Sequence, residues 1–134
     1  MKKGFTLVEL LGVIVILGLI AMIAIPTINS ALNSSREKAY NEQVNTIVNT
    51  ARTYMSKNSL KLPDQLEGNK CSIRISTLQQ AGLLDSDDIQ NPMYKEGSTD
   101  EKENFENFNG SVIITFTGNK YKYEYVKTTS VDEC

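Results

Sequence analysis

Histidine and tryptophan are absent from the 134 residues of this chain. Without histidine, the chain lacks the commonest general acid–base group and the commonest metal ligand of proteins. Its other polar residues form no recognisable nucleophile–base pair and no glycine-rich phosphate loop. We therefore expect no catalytic residue, no resident metal and no cofactor, and an enzyme is disfavoured.

Cysteine is scarce, and positive charge is not in excess. Cys71 and Cys134 are the only cysteines, and neither belongs to a C-x-x-C pair, which disfavours a zinc site and a thioredoxin-like redox site. The formal net charge is −2, and no polybasic stripe is present. Because general binding to a nucleic-acid backbone needs such a stripe, no specific nucleic-acid partner is expected.

One long hydrophobic run dominates the N-terminal part of the chain. From Phe5 to Ile25 it counts 21 residues with Glu9 as their only charge, and at about 1.5 Å per residue it can cross a bilayer. Two lysines precede the run and charges of both signs follow it, which places the N-terminus in the cytoplasm and the rest of the chain outside. A cleaved signal peptide, with small residues Ala21 and Ala24 near its end, and an uncleaved signal anchor share these features.

Glu9 disfavours both of these ordinary interpretations. A carboxylate inside an apolar helix costs roughly 2.5–3.5 kcal/mol on membrane-insertion scales, and more in hydrocarbon without a partner. Such a residue normally serves a purpose, so a partner for Glu9 has to be found.

The order of residues around Glu9 resembles the type IV prepilin family, which includes the pseudopilins of type II secretion and competence systems. Residues 4–10 read Gly-Phe-Thr-Leu-Val-Glu-Leu, and the apolar run then continues to Pro26. The resemblance is specific over residues 1 to about 30 and only architectural beyond. It implies that a membrane peptidase cuts between Gly4 and Phe5 and methylates the new amine of Phe5. It also implies that Glu9 pairs with the Phe5 ammonium of a neighbouring subunit in a filament.

The resemblance further implies the partners and the location of the protein. The partners would be other copies of the chain, a prepilin peptidase, a polytopic platform protein and an assembly ATPase. The precursor would be a single-pass membrane protein, and the assembled product an extracellular pilus on the bacterial surface. Its role would be structural, as a subunit of a type IV pilus. A pseudopilin or minor pilin of a secretion or DNA-uptake system is the first alternative, and a membrane-anchored extracellular binding domain is the second.

Gly18 and Pro26 predict a weak stretch in the N-terminal helix. Pro26 removes one hydrogen-bond donor and clashes with the carbonyl one turn earlier, which predicts a kink. In filaments of the resembling family, the helix between such a glycine and proline can lose its regular hydrogen bonds. Both residues are also common in membrane helices, so an incidental role remains open.

Beyond the apolar run, the pattern predicts an α+β fold. Apolar residues recur at three- and four-residue spacings to about residue 56, which predicts a helix whose apolar face packs on a sheet rather than in a partner's groove. Alternation over 111–126 around Gly118-Asn119 predicts an antiparallel hairpin, and residues 72–75 or 126–131 could supply a third strand. We therefore divide the chain into a leader (1–4), a transmembrane or filament-core helix (5–26), its amphipathic continuation (27–56) and a globular head (57–134).

The other segments of the head give weaker signals. Residues 56–70 are rich in turn formers and predict a loop, and residues 95–109 are charged and poor in apolar residues, which predicts an exposed, mobile loop. Ser76 to Gln79 has the spacing of a capping box and Gly82 follows as a stop, so a short helix is expected. 

Two clusters have both a functional and a structural interpretation. Clustered carboxylates at Asp85, Asp87 and Asp88 could bind calcium, but the twelve-residue loop that typifies such sites is absent and a solvated turn is favoured. The alternating tyrosines of the second hairpin strand could stack on bases or sugars, but alternation within a strand favours packing in the core.

The two cysteines are expected to pair. If residues 27–134 lie outside the membrane, Cys71 and Cys134 share an oxidising compartment and have no other thiol partner. The resembling family often ties the end of its head domain back by a disulfide. We therefore predict a Cys71–Cys134 bond, with two free thiols as the alternative.

Overall fold

The computed structural model describes residues 4–134, and the chain divides into two compact units, one up to Arg36 and one from Glu37. The leader lysines Lys2 and Lys3 lie outside the described residues. The helices are α1 (Leu7–Lys57) and α2 (Ile75–Gln80), with a 3₁₀ turn at Ser59–Lys61. The strands are β1 (Lys70–Arg74), β2 (Ile89–Gln90), β3 (Asn107–Phe108), β4 (Ser111–Thr117) and β5 (Lys120–Val126). The predicted α+β class, with a long N-terminal helix and a small antiparallel sheet, is confirmed.

Helix α1 is 51 residues long and continuous through Gly18 and Pro26. Proline has no N–H to donate to the carbonyl four residues earlier. Next to this gap, the Thr27 hydroxyl donates to the Ile23 carbonyl at 3.1 Å. The carbonyl that Pro26 leaves without its usual donor is that of Met22, one residue before the carbonyl that Thr27 binds. The kink at Gly18 and Pro26 stays a prediction.

The second unit has a hydrophobic core between α1 and a three-stranded antiparallel sheet of order β1-β4-β5. Tyr40, Ile47, Ala51 and Met55 are the buried residues of α1, and their spacing is that of one helical face. The sheet contributes Val112 and Ile114, both fully buried, together with other alternate residues. The α1 face predicted to cover a sheet therefore lies in the core.

Strand β4 lies at the centre of this sheet. It pairs with β5 through a tight turn at Gly118 and Asn119, whose φ angles of 56° and 64° give the two left-handed residues of a type I′ hairpin. It pairs on its other side with β1, where Cys71 opposes Ile114. The predicted hairpin over 111–126 is confirmed. Of the two candidate third strands, residues 72–75 are close to the correct one.

The tyrosines of β5 line the inner face of the sheet. Tyr121, Tyr123 and Tyr125 are half-buried and alternate with exposed residues. The Arg52 guanidinium of α1 lies 4.6 Å from the centre of the Tyr123 ring, a cation–π contact. Burial raises the pKa of Tyr125 to about 12, with the nearby Tyr40 hydroxyl acting in the same direction. These rings therefore pack in the core, as alternation favours.

The capping-box prediction for α2 is wrong. The helix begins at Ile75 directly after β1, with Arg74 at the N-cap and no side-chain cap. Ile75 and Leu78 are almost fully buried, and the Ile75 N–H donates to the Gly110 carbonyl at 3.1 Å. The burial of Ile75 and Leu78 stabilises this start of the helix more than a side-chain cap would.

The end of α2 agrees with its prediction. Gly82 has a φ of 74°, and its N–H donates to the Gln79 carbonyl at 3.0 Å. The next residue, Leu83, donates to the Leu78 carbonyl at 3.1 Å. This pair of bonds is a Schellman motif, which needs the left-handed residue that glycine supplies without strain.

The prediction that residues 95–109 form an exposed, mobile loop is wrong for the end of this segment, whereas most of residues 95–104 are exposed. Phe105 and Phe108 are buried, and their rings contact each other and Tyr40. Asn91, itself only 5% exposed, holds this segment because its side-chain amide donates to the carbonyls of Lys102 and Phe105 at 2.7 and 2.8 Å. The charged residues that precede Phe105, together with Glu106, mask this aromatic contact in the sequence.

Candidate processing and assembly segment

The first helical turn of α1 is closed by a reciprocal pair of hydrogen bonds between Thr6 and Glu9. The Glu9 N–H donates to the Thr6 hydroxyl oxygen at 3.2 Å, and the Thr6 N–H donates to a Glu9 carboxylate oxygen at 2.8 Å. The Leu10 N–H then donates to the Thr6 carbonyl and starts the helical ladder. This is a capping box, which satisfies two backbone donors that a helix start otherwise leaves free.

The capping box gives the Glu9 carboxylate a partner within its own chain, which the sequence reasoning missed. The signal was present, because Thr6 and Glu9 have the threonine-x-x-glutamate spacing that was sought instead at Ser76. A carboxylate at a helix N-terminus also interacts favourably with the helix dipole. Part of the cost of placing Glu9 in an apolar segment is therefore offset before any neighbouring subunit arrives.

The proposed processing site lies just outside the helix. Gly4 and Phe5 have no helical or strand structure, and Phe5 is 91% exposed. A methyl group built at Gly4 would meet no atom within 4 Å. The bond between them thus lies in an open, irregular segment, which is the kind of backbone that a peptidase can bind.

Most large apolar side chains of the first unit have no cover in the single chain. They are half or more exposed, although a soluble protein would bury such residues. The described residues contain one helix, α1, that is long and apolar enough to cross a membrane. The exposed residues are Leu7, Val8, Leu10, Leu11, Val13, Ile14, Val15, Ile16, Leu17, Leu19, Ile20, Met22, Ile23, Ile25, Ile28 and Leu32.

The two cysteines of the second unit lie together. Cys71 on β1 and Cys134 are joined by a disulfide, with their Cα atoms 4.9 Å apart. The bond spans a sequence separation of 63 residues. In the chain-entropy model, closing a loop of this length stabilises the folded state by about 4 kcal/mol, a large share of a small domain's stability.

The three aspartates considered for calcium line an open groove beside α1. Asp85, Asp87 and Asp88 are exposed, and the Asp87 backbone carbonyl accepts a bond from the Gln79 side chain at 3.2 Å. Within residues 4–134, no group of three histidine, cysteine, aspartate or glutamate side chains lies close enough to hold a metal ion. The three aspartates lie exposed in a segment without helix or strand, as the solvated-turn interpretation predicts.

Comparison with known proteins bears on the N-terminal segment alone. Residues 1–25 match the prokaryotic N-terminal methylation motif, the hallmark of type IV prepilins and pseudopilins. A search of curated proteins and a search of solved structures gave no match to the chain. The motif and the apolar helix fit a membrane-anchored precursor that a prepilin peptidase processes.

Proposed function

Starting from the prepilin and pseudopilin motif at residues 1–25, we propose that this chain is the structural subunit of a type IV pilus or pilus-like filament. The observation that carries the proposal is the coincidence of this motif with a helix whose apolar side chains lack cover. A role of this kind requires no chemistry from the chain. It requires a helix that is stable first in lipid and then among copies of itself.

The first step is cleavage between Gly4 and Phe5, followed by methylation of the Phe5 amine. Cleavage creates a positive charge one residue before the N-cap, where the helix dipole disfavours it. A carboxylate nearby offsets this charge, and Glu9 is the only acidic residue of the apolar segment. Processing would therefore give Glu9, which already accepts the neutral Thr6 N–H, a positively charged partner as well.

Assembly would use the pair between subunits. The Thr6 N–H occupies one oxygen of Glu9. A carboxylate has about four lone-pair sites, so Glu9 can also accept the Phe5 ammonium of a neighbouring copy. An ion pair in apolar surroundings is favourable only when both partners are present, and an unprocessed subunit cannot supply the ammonium. The pair would thus admit processed subunits and fix their register.

The apolar helix would exchange one environment for another during assembly. In the membrane, lipid covers the side chains of residues 5–26, and in a filament the helices of other copies would replace it. Because lipid is as apolar as leucine, this exchange depends on close packing and on polar pairs rather than on the hydrophobic effect. The weak stretch between Gly18 and Pro26 would let the helix adapt to its neighbours.

The four-part division of the chain belongs to the same proposal. The leader (1–4) is removed in the cytoplasm, residues 5–26 form the membrane anchor and later the filament core, and residues 27–56 continue as an amphipathic helix. The head (57–134) then lies on the outer surface of an extracellular filament. A platform protein and an assembly ATPase would extract the subunit from the membrane.

Mass spectrometry of the protein from intact cells tests the processing step. We expect a mature N-terminus at methylated Phe5, and a precursor that accumulates uncut when Gly4 is replaced by a bulky residue. A Gly12→Ala variant is a matched control, because Gly12 also has open space around it but lies beyond the cleavage site. A mature start near Thr27 would indicate an ordinary signal peptide and would end the proposal.

Sedimentation of sheared surface protein tests the assembly step. Long filaments that pellet with the methylated subunit would identify a pilus. Correct processing with only short or membrane-retained assemblies would favour a pseudopilin. A processed chain that stays monomeric at the membrane would support the anchored binding domain instead.

A further inference from the structure

The two edges of the three-stranded sheet differ in how they are closed. Strand β5 forms one edge, and it carries exposed charged residues at Lys120, Lys122 and Glu124, which discourage pairing with another strand. Strand β1 forms the other edge and is covered by the chain's own C-terminal tail, residues 128–134. The cover is a single parallel bridge between Ser72 and Glu133.

Every bond that the structure gives between this tail and the rest of the second unit goes to β1. The Ser72 N–H donates to the Asp132 carbonyl at 2.8 Å, and the Cys134 N–H donates to the Ser72 carbonyl at 3.0 Å. The Ser72 hydroxyl donates to the Val131 carbonyl at 2.9 Å. An Arg74–Glu133 ion pair and the disulfide complete the contact.

Without the disulfide, these contacts are too few to hold seven residues in place. Arg74 and Glu133 are both more than half exposed, and exposed pairs contribute little. Two backbone bonds and one hydroxyl bond must then offset the conformational entropy lost by the whole tail. Ordering one residue costs about as much free energy as one hydrogen bond contributes, or more, and the tail has seven residues but only three such bonds. The buried core of the sheet, by contrast, contains no residue of the tail other than the partly buried Cys134.

We propose that the β1 edge is a strand-acceptor site, which the chain's own tail fills in the oxidised subunit, which reduction empties, and which the tail of a second copy fills when the thiols reoxidise between copies. The second copy carries the same residues 131–134 and so makes the same bonds to Ser72, the same pairing with Arg74 and the same disulfide. Exchange of an identical element between copies needs no new contact. Segment 127–130 has no helix or strand and can serve as the hinge.

The exchange requires reduction of the disulfide followed by reoxidation between two copies. A dithiol reductant gives two electrons and two protons to the Cys71–Cys134 bond, which becomes two thiols while the reductant becomes a disulfide. On reoxidation, the Cys134 thiol of one copy and the Cys71 thiol of the other lose two electrons and two protons to a small-molecule disulfide. That disulfide is reduced to two thiols, and an interchain bond replaces the intrachain one.

Two complementary variants of the full chain in detergent micelles test the proposal. Cys71→Ser keeps only the tail thiol, and Cys134→Ser keeps only the β1 thiol. The two are mixed, oxidised with oxidised glutathione and separated by mass under non-reducing conditions. A docked tail raises the effective concentration of its thiol, so we expect the mixed dimer to exceed either homodimer by about tenfold.

Substitutions at two serines, one at the strand-acceptor site and one away from it, sharpen the test. Ser72→Ala in the Cys134→Ser chain removes the hydroxyl bond to the tail and should lower the mixed-dimer yield several-fold. Ser76→Ala removes an exposed hydroxyl on α2 and should leave that yield unchanged. Equal yields of mixed dimer and homodimer, or a mixed dimer insensitive to Ser72→Ala, would overturn the proposal.

Hydrogen exchange on the reduced wild-type chain tests the release of the tail without any substitution. We expect residues 128–134 and the Ser72 amide to lose protection, while the β4–β5 hairpin keeps its protection. Loss of protection throughout the sheet, or a tail that stays protected, would show that no separate strand-acceptor state exists.

Discussion

The two units of the chain are organised in opposite ways. The first, up to Arg36, carries a motif that can be recognised at once, yet its large apolar side chains are exposed. The second, from Glu37 onward, carries no recognisable motif but buries a continuous core that includes Ile47, Met55, Val112 and Ile114. In the proposed function the first unit makes its contacts with other molecules, whereas the second unit is stabilised by contacts within itself.

The largest expected effect is the loss of filaments when Glu9 is replaced. Glu9→Ala should leave membrane insertion and trimming intact, because it removes a charge that insertion disfavours, while the yield of filaments falls more than about tenfold for lack of an ion pair. Sheared filaments would be quantified beside total membrane-bound subunit.

A matched variant separates the charge of Glu9 from its capping role. Thr6→Ala removes the hydroxyl that caps the helix and keeps the Glu9 carboxylate, so it should cost only about 1 kcal/mol of local helix stability and reduce filaments much less. Normal filament yield from Glu9→Ala would show that the inter-subunit pair is not the reason for this residue.

Replacing glycine by alanine should change stability in opposite directions in the two units. At Gly110, an added methyl would overlap the Val126 carbonyl oxygen and crowd Lys127, so Gly110→Ala should destabilise the second unit by about 2–4 kcal/mol. At Gly18 the space is open, and Gly18→Ala should strengthen the helix by about 1 kcal/mol.

Thermal unfolding of the two glycine variants measures this contrast. The near-UV signal of the buried tyrosines follows the second unit, and the far-UV signal in micelles follows α1. A Gly110→Ala chain with an unchanged unfolding temperature would mean that the close approach of β4 and β5 is not required.

A smaller effect concerns the segment that sequence reasoning took for a mobile loop. Asn91→Ala removes two donors to backbone carbonyls and the acceptor of the Met93 N–H, leaving buried polar groups without partners. We expect a loss of about 2–3 kcal/mol and faster amide exchange in residues 95–106.

Asn109→Ala serves as the control for this site. Asn109 is exposed and lies directly after β3, so its substitution should change the stability of the second unit very little. If both asparagine variants behaved alike, Asn91 would not be the residue that orders the segment.

The smallest effect is a pH dependence at the hairpin turn. The Glu67 carboxylate accepts bonds from the Thr117 hydroxyl at 2.6 Å and the Gly118 N–H at 3.1 Å, which lower its pKa from the ordinary 4.5. A carboxyl whose folded pKa is lowered stabilises the fold above its unfolded pKa, and this contribution disappears as the pH falls below 4.5 through the folded value.

Comparing wild type with Glu67→Gln isolates this contribution. The difference in unfolding temperature between them should shrink between neutral pH and the acid side of the Glu67 titration. A difference that stays constant across this range would mean that the charge of Glu67 contributes nothing.

Sequence reasoning succeeded where a pattern is local and periodic. The hairpin could be predicted because alternation, Gly118 and Asn119 all lie within one short stretch. The helix face around Ile47 could be predicted for the same reason, since its spacing is helical. In both cases the residues that decide the structure are neighbours in the chain.

It failed where the deciding contact comes from elsewhere in the chain. The start of α2 depends on the burial of Ile75 and on its bond to Gly110. The sequence around Ser76 predicts neither of these contacts. The 95–109 segment depends on Asn91 in the same way. The Thr6–Glu9 capping box, however, has the usual threonine-x-x-glutamate spacing and could have been predicted from the sequence.

The central position of β4 has a consequence for the order of folding. Strand β1 precedes it in the chain, yet each of its residues from Lys70 to Arg74 pairs with a residue of β4. In the proposed topology the N-terminus stays in the cytoplasm and the head crosses the membrane in the order of its sequence, so β1 would stay unpaired until Thr115 and its neighbours have crossed. Non-local pairing of this kind slows folding, so the emerging head would pass through a period in which a chaperone or another strand can bind it.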